Sequence, residues 1–346
     1  MRLINVKTLE LEEFFYKYPP YAILSHTWGP EEVTFQEYLL ATGPDTKRHS
    51  RIKQKEGFPK IVGACKRAQA NGLQYLWCDT NCIDKTSSAE LSEAINSMYA
   101  WYRDSEICYA YLADVEAGRG PVGPGSFKES RWFTRGWTLQ ELLAPKSVIF
   151  FDKRWKVLGH RENLANVISQ VTLIHIAALE DRNKVFEYSV AQRMSWAANR
   201  VTTREEDIAY CLLGIFDINM PLLYGEGMKA YQRLQREIIK VSDDQSILAW
   251  QIPQDSPSPW MGALAPSTKV FQNCGSIVRD PELDGGAYSI TNKGILMKLP
   301  LIKTVIDGII LVGLNCAKEI KAQVFERVPA RLNYLSPAVV RISRIF

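Results

Sequence analysis

The sequence predicts an α/β fold, a mainly parallel sheet with flanking helices, followed by a helical extension and a β-rich carboxy-terminal unit. Two observations carry this. Between residues 21 and 151, short apolar runs alternate with amphipathic segments of helical period, the pattern of repeated strand–helix units. After residue 160 the apolar residues recur at helical spacing, and beyond Ser242-Asp243-Asp244 they break into short runs separated by Gly, Pro, Asn and Asp. A chain of 346 residues is also too long for one typical core. We therefore expect three parts: an α/β core at 1–159, a helical extension packed on it at 160–242, and a β-rich unit at 243–346.

Taken in order, Tyr21–Ser25 (YAILS) is an apolar run that stops at Trp28-Gly29-Pro30, which predicts a buried strand ending in a loop. Residues 42–57 are polar and read as an insertion. Pro59 suits a first helical position; Ile61, Cys65 and Ala68 share a stripe, and Asn71-Gly72 ends the helix. Tyr75–Asp79 (YLWCD) predicts the next strand. Ser87 and Glu90 have capping-box spacing, and Leu91, Ile95, Met98 and Tyr102 then follow at helical period. Ile107–Leu112 predicts a third strand, 117–125 a Gly/Pro loop, Arg131–Leu143 a helix, and Val148–Phe151 a fourth strand. Two further capping boxes, Ser189–Gln192 and Thr203–Glu206, are expected to open helices. Met228, Tyr231, Leu234, Ile238 and Val241 form another apolar stripe. Ser246–Trp250, Ala287–Ile290, Ile295–Leu299 and Ile309–Leu314 are expected strands. A parallel sheet of this kind binds ligands at the carboxyl ends of its strands.

Composition narrows the function classes. Hydrophobic residues make up 46% and charged residues 23%, as in ordinary globular chains. Lys plus Arg (42) against Asp plus Glu (38) leaves +4, with the signs interspersed. No basic run marks a nucleic-acid or lipid surface, so neither partner is expected. The first fifteen residues carry acids where a signal peptide needs an apolar stretch, and the longest apolar candidate, Val305–Leu314, contains Asp307 and two glycines. We expect no leader, no membrane span and a cytoplasmic location. Seven cysteines without a framework suit reduced thiols. Cys78 and Cys82 have metal-like spacing, but no His or second Cys pair lies nearby in the sequence. Buried free thiols and no metal are the expectation.

Familiar catalytic motifs are few. Ser25, His26 and Asp79 are the residue types of a hydrolase triad, but no Gly-x-Ser-x-Gly elbow frames Ser25. There is no Walker or Rossmann glycine fingerprint, and no cofactor is expected.

Three segments, YAILSHTWG (21–29), LWCDTNCIDK (76–85) and RGWTLQE (135–141), resemble the heterokaryon incompatibility (HET) domain of filamentous fungi, in the family's order. The stretch from Ser189 to Trp250, with DIAYCLLGIFDINMPLLYGEG, is similar to the region that follows that domain, so the resemblance covers most of 1–250. One departure is Lys85, where the family usually has Gln. The chain stops at Arg344-Ile345-Phe346 without a visible stop signal, which suggests a divergent or shortened member.

The HET domain is in turn similar to the TIR fold, which implies a flavodoxin-like sheet. Tyr21–Gly29 resembles the first TIR strand and loop, and Asp79 with the helix at 88–103 resembles the second strand region. Trp137–Leu142 (WTLQEL) is similar to the Trp-Cys-Leu-Asp-Glu-Leu run of plant TIR domains, whose Glu is catalytic in members that cleave NAD⁺. By that correspondence Glu141 is the expected catalytic carboxylate, with NAD⁺ as substrate. The resemblance also implies a cell-death effector that self-associates, downstream of a non-self sensor. The chemistry is consistent: one fixed carboxylate beside the ribose can stabilise the oxocarbenium-like centre formed as nicotinamide leaves. Trp28 or Trp137 can wall the rings, Ser25, His26 and Gly29 can meet a ribose or phosphate, and Arg135 can neutralise the pyrophosphate. Asp79 lies at the same strand end.

Each residue also has a structural reading. Glu141 can pair with Arg131 or Arg135, the tryptophans can be core, His26 can be a hydrogen-bonded structural histidine, and Asp79 and Asp84 can shape their loop. The alternative from another class is a non-catalytic TIR-like scaffold that acts by oligomerising.

Overall fold

The computed structural model describes residues 1–43, 50–118, 125–251, 262–279, 287–292, 294–299, 301–303, 310–312 and 314–318. Residues 44–49 of the polar insertion, 119–124 of the Gly/Pro loop, Ile309 and Gly313 of the last expected strand, most of 305–314 and the end at 344–346 lie outside them. The chain divides into two compact units, 1–182 and 183–346. The three-part division expected from patterning is a different partition, which we retain as a proposal about folding units.

The first unit is built on a seven-stranded sheet. Its strands are β1 (Arg2–Asn5), β2 (Leu11–Glu13), β3 (Tyr21–His26), β4 (Tyr75–Trp77), β5 (Ile107–Tyr111), β6 (Val148–Phe151) and β7 (Val157–His160). The spatial order is β2-β1-β4-β3-β5-β6-β7. The four central strands are parallel, while β1 and β2 at one edge and β7 at the other run antiparallel to their neighbours. Counting only the parallel strands, the order is 2-1-3-4, that of flavodoxin-like sheets. The switch point of such sheets lies between the first and third parallel strands, here β3 and β5.

Helices α1 (Phe35–Thr42), α2 (Ser50–Lys53), α3 (Gly57–Ala70), α4 (Asp79–Cys82), α5 (Ser88–Asp104), α6 (Thr138–Leu143), α7 (Ala165–Thr172) and α8 (Ile176–Glu180) complete the unit. All six residues of β3 are buried, because helices cover both faces; a strand of this kind reads as a continuous apolar run rather than an alternation. Helix α3 begins two residues before the expected Pro59. Gly57 donates its N–H to Glu31 O, and a Cβ there would meet that oxygen at 2.9 Å and Val33 N at 3.0 Å. Pro59 still falls in the first turn, where its missing N–H costs no helical bond. Farther along, Gly63 lets the helix approach the indole of Trp155, which a Cβ would overlap.

Several local expectations need correcting. The strand expected to reach Asp79 stops at Trp77, and Asp79 opens the short α4. Ser87 Oγ does cap Glu90 N, but the Glu90 carboxylate accepts from Asp84 N and the Arg2 guanidinium instead of closing the box. The helix expected over Arg131–Leu143 is a 3-10 turn at Arg131–Thr134 followed by α6.

In the second unit, α9 (Val190–Ser195) opens with the complete Ser189–Gln192 capping box. The box expected at Thr203 does not form. Glu206 instead accepts the N–H groups of Gly225 and Gly227, and α10 starts at Asp207 and ends at Tyr210. Helix α11 (Lys229–Val241) buries Tyr231, Leu234 and Ile238 as expected, while Val241 is exposed. Ser246–Trp250 is not a strand: Asp244 caps a 3-10 turn at Gln245–Leu248. Among the described residues, the β-rich character appears as three antiparallel pairs, β8 (Ile277–Arg279) with β13 (Cys316–Lys318), β9 (Ser289–Thr291) with β10 (Gly294–Leu296), and β11 (Leu301–Lys303) with β12 (Ile310–Val312).

Candidate functional site

The carboxyl ends of β3 and β4, with the helix α6, carry the polar residues singled out by the sequence, and β3 divides them. Successive side chains of a strand point to opposite faces, so the neighbours Ser25 and His26 serve different layers. Ser25 faces α6, and His26 faces α3. The triad types Ser25, His26 and Asp79 are therefore not assembled as one triad.

On the α6 face, Ser25 Oγ donates to Glu141 Oε2 at 2.5 Å, and Trp132 Nε1 donates to Ser25 Oγ at 2.8 Å. The direction of these bonds follows from chemistry. An indole N–H only donates, so the serine oxygen accepts from it and the single serine proton is directed at the carboxylate. The short distance falls within the range of hydroxyl-to-carboxylate bonds. Ser25 and Trp132 are fully buried, and Glu141 is only 7% exposed.

The sequence builds this arrangement locally. Ser130 Oγ caps the 3-10 turn at Trp132 N, and Thr138 Oγ1 donates to Trp132 O at 2.5 Å, tying the start of α6 to the indole-bearing residue. At the other end of α6, the buried Arg161 guanidinium donates to Leu142 O, Pro145 O and Lys146 O. Glu141 is thus held on a short helix clamped at both ends. Tyr102 of α5 lies in the same layer, donating to Leu24 O at 3.1 Å, and burial together with the Glu141 charge pushes its hydroxyl pKa far up.

On the α3 face, His26 Nε2 lies 3.7 Å from Asp79 Oδ1. Asp79 Oδ2 accepts from Trp28 Nε1 and from Lys85 Nζ, each at 3.1 Å, and Lys85 Nζ sits 3.5 Å from the centre of the Trp28 ring. Burial pushes the Asp79 carboxyl up, but Lys85 and the other basic neighbours, His26 and Lys60, together outweigh it and hold the group below its ordinary value. Burial beside Lys60 lowers the His26 pKa to about 4, so its imidazole is neutral at pH 7. Glu32 Oε1 accepts from Lys60 Nζ at 2.5 Å and from Gly29 N at 2.8 Å.

Ser25 and Glu141 are brought together. His26, Trp28, Gly29 and Asp79 form a second group on the opposite face, with Trp28 52% exposed rather than in the core. Gly29 spends its N–H on Glu32. Arg135 and Trp137 are half-buried at the entry to α6, where Arg135 O accepts from Thr138 Oγ1. Asp84 shapes its loop by accepting from Thr86 N and Thr86 Oγ1.

Sequence reasoning missed Trp132, Glu32 and Lys60 and set Lys85 aside. Trp132 stands beside Phe133 and reads as core, and nothing local marks an indole N–H aimed at a serine 107 residues away. Among the described residues, no helix is long and apolar enough to cross a membrane.

Residues 21–124 match the family described as heterokaryon incompatibility protein (HET). The chain is also 47% identical, over 232 residues, to the vegetative incompatibility protein HET-E-1 of Podospora anserina. That alignment takes in 65% of this chain but only 16% of the relative's length. No solved structure gives a significant match.

Proposed function

The chain is a HET-domain protein, and from that premise we propose that it acts as a cell-death effector in heterokaryon incompatibility by cleaving NAD⁺ to nicotinamide and ADP-ribose, with Glu141 as the catalytic carboxylate. The incompatibility role is suggested by the similarity to the vegetative incompatibility protein HET-E-1, and the reaction by the TIR resemblance of residues 137–142. One observation favours the carboxylate: Glu141 Oε2 is fixed by the Ser25 hydroxyl, itself oriented by Trp132, at the switch point of a flavodoxin-like sheet.

In this reading NAD⁺ places its nicotinamide ribose against α6. As the C–N bond breaks, its electron pair passes to the ring nitrogen and nicotinamide leaves neutral. The developing ribosyl cation faces the carboxylate, which is already oriented and so reorganises little during the reaction. Water then adds to the anomeric carbon and releases a proton, giving ADP-ribose. Arg135 and Trp137, at the entry to α6, are the proposed contacts for pyrophosphate and ring. Self-association is the proposed trigger, because Glu141 is nearly buried in the single chain and must become more accessible to meet a substrate. A cytoplasmic location and an upstream sensor complete the proposal.

The test is nicotinamide release from NAD⁺ by dilute and by concentrated protein, followed by chromatography. Release by wild type and none by Glu141→Gln, with equal far-ultraviolet dichroism, supports the reaction. A Glu141→Gln variant as active as wild type refutes it. The same burial of Glu141 favours a second reading, a non-catalytic scaffold that oligomerises through this unit. Concentration-dependent assembly without nicotinamide release would select it.

A further inference from the structure

We infer that His26, Cys78 and Asp79 form a binding site for a single divalent transition metal, with Zn²⁺ the best fit. The donor atoms of the three residues all lie within 4.8 Å of one another, at the carboxyl ends of β3 and β4. The inference goes beyond the NAD⁺ reading, because it concerns the opposite face of β3 from Glu141.

Three observations converge on this site. The first is His26 itself: its side chain is fully enclosed, and neither Nδ1 nor Nε2 has a hydrogen-bond partner. A buried imidazole with both nitrogens unpartnered is rare, and it calls for a group that would satisfy it. The second is geometry. Tetrahedral zinc with bonds of about 2.0–2.3 Å holds its donor atoms roughly 3.3–3.6 Å apart. His26 Nε2 and Asp79 Oδ1 stand 3.7 Å apart, so small side-chain rotations close the site.

The third is the donor set. One imidazole, one thiol and one carboxylate suit a borderline-soft ion such as Zn²⁺, whereas Mg²⁺ or Ca²⁺ would want oxygen alone. The neighbouring cations do not leave the site strongly positive, since Lys60 is paired with Glu32 and Lys85 with the other oxygen of Asp79. Three protein donors leave a fourth position for water or a ligand, as in catalytic rather than structural zinc sites.

Binding forms S–Zn, N–Zn and O–Zn bonds as waters leave the hydrated ion. The Cys78 thiol gives its proton to solvent, and the neutral His26 has none to give. Cys82, though spaced like a partner for Cys78, is not a ligand: it accepts from Cys78 N.

The test uses the full chain, stripped with a chelator and titrated with Zn²⁺ alone against a chromophoric competitor. Co²⁺ serves as the spectroscopic probe. The expected result is one ion per chain, with a thiolate-to-Co²⁺ charge-transfer band. His26→Ala and Cys78→Ser should each weaken binding more than about 100-fold, since even outer-shell partners are worth about 10–100-fold. Cys82→Ser and Glu141→Gln should bind as wild type, which separates this site from the NAD⁺ proposal. If Cys78→Ser does not fold, Asp79→Asn gives the same reading. Folded wild type that binds no Zn²⁺, or a charge-transfer band that survives Cys78→Ser or is lost in Cys82→Ser, overturns the inference.

Discussion

Replacing Arg161 with methionine should destabilise the first unit by about 3–5 kcal/mol, and the number follows from what its guanidinium touches. The side chain is fully buried and donates to Leu142 O at 2.8 Å, Pro145 O at 3.0 Å and Lys146 O at 3.2 Å. Methionine fills similar length without a donor and strands the buried carbonyls of Leu142 and Pro145 and the part-buried one of Lys146, each buried group costing about 1–3 kcal/mol. Sparing a buried guanidinium its desolvation returns part of that, which brings the net loss to the range seen when one partner of a buried charge network is removed. Burial lowers the Arg161 pKa but does not make it a neutral group at pH 7. Lysine, a point charge without the planar fork, cannot span the three acceptors and should fall between the two, at a loss of about 1–2 kcal/mol. Urea denaturation followed by tryptophan fluorescence measures this as a change in midpoint at constant slope. If Arg161→Met lies within about 1 kcal/mol of wild type and Arg161→Lys is no better, water satisfies those carbonyls and the guanidinium is not what holds the end of α6.

Further outcomes can be checked on the same protein. Ser25→Ala leaves both the Trp132 indole and the Glu141 carboxylate without their shared partner, and should cost about 2 kcal/mol by denaturation. Gly63→Leu drives a side chain into the Trp155 indole and should lower stability by about 2 kcal/mol or more, read as a drop in Tm, while the exposed substitution Lys66→Ala stays within about 0.5 kcal/mol. Asp152 accepts the N–H groups of Ala117, Arg154 and Lys156. Burial raises its pKa, yet those three bonds outweigh burial and hold it below the ordinary value. A depressed carboxyl contributes stability that is complete above its unfolded pKa of about 3.9 and is lost as pH falls through the folded value. The advantage of wild type over Asp152→Asn should therefore be constant from pH 7 to about 5 and shrink below about 4. A gap that is unchanged at pH 3 would rule this out.

The interior of the fold was legible because it obeys simple periodicities. β3, β5 and β6 announce themselves as apolar runs, and α3 and α5 as stripes with clear stop or cap signals. The outer strands were not legible: RLIN, LEE and VLGH are only three or four residues long, LEE and VLGH bury no residue fully, and RLIN buries just Leu3 and Ile4, so no apolar alternation marks them. The capping box at Thr203 failed because Glu206 finds two better donors, Gly225 N and Gly227 N, which local reading cannot see. At the site, residue types and strand ends were readable, but which side chains meet was not. The pairs Ser25–Glu141 and His26–Asp79 span 116 and 53 positions, and β3 sorts them by alternation between its two faces.

That alternation also makes β3 a mechanical link. Ser25 and His26 share one peptide plane, so a ligand that shifts the backbone at His26 also shifts the backbone that carries the Ser25 hydroxyl. A displacement of a few tenths of an ångström would be felt in a bond already at 2.5 Å. For the same reason a one-residue deletion within Tyr21–His26 is not a small lesion: it would trade the contents of the two layers, setting an imidazole against Glu141 and a hydroxyl against Asp79.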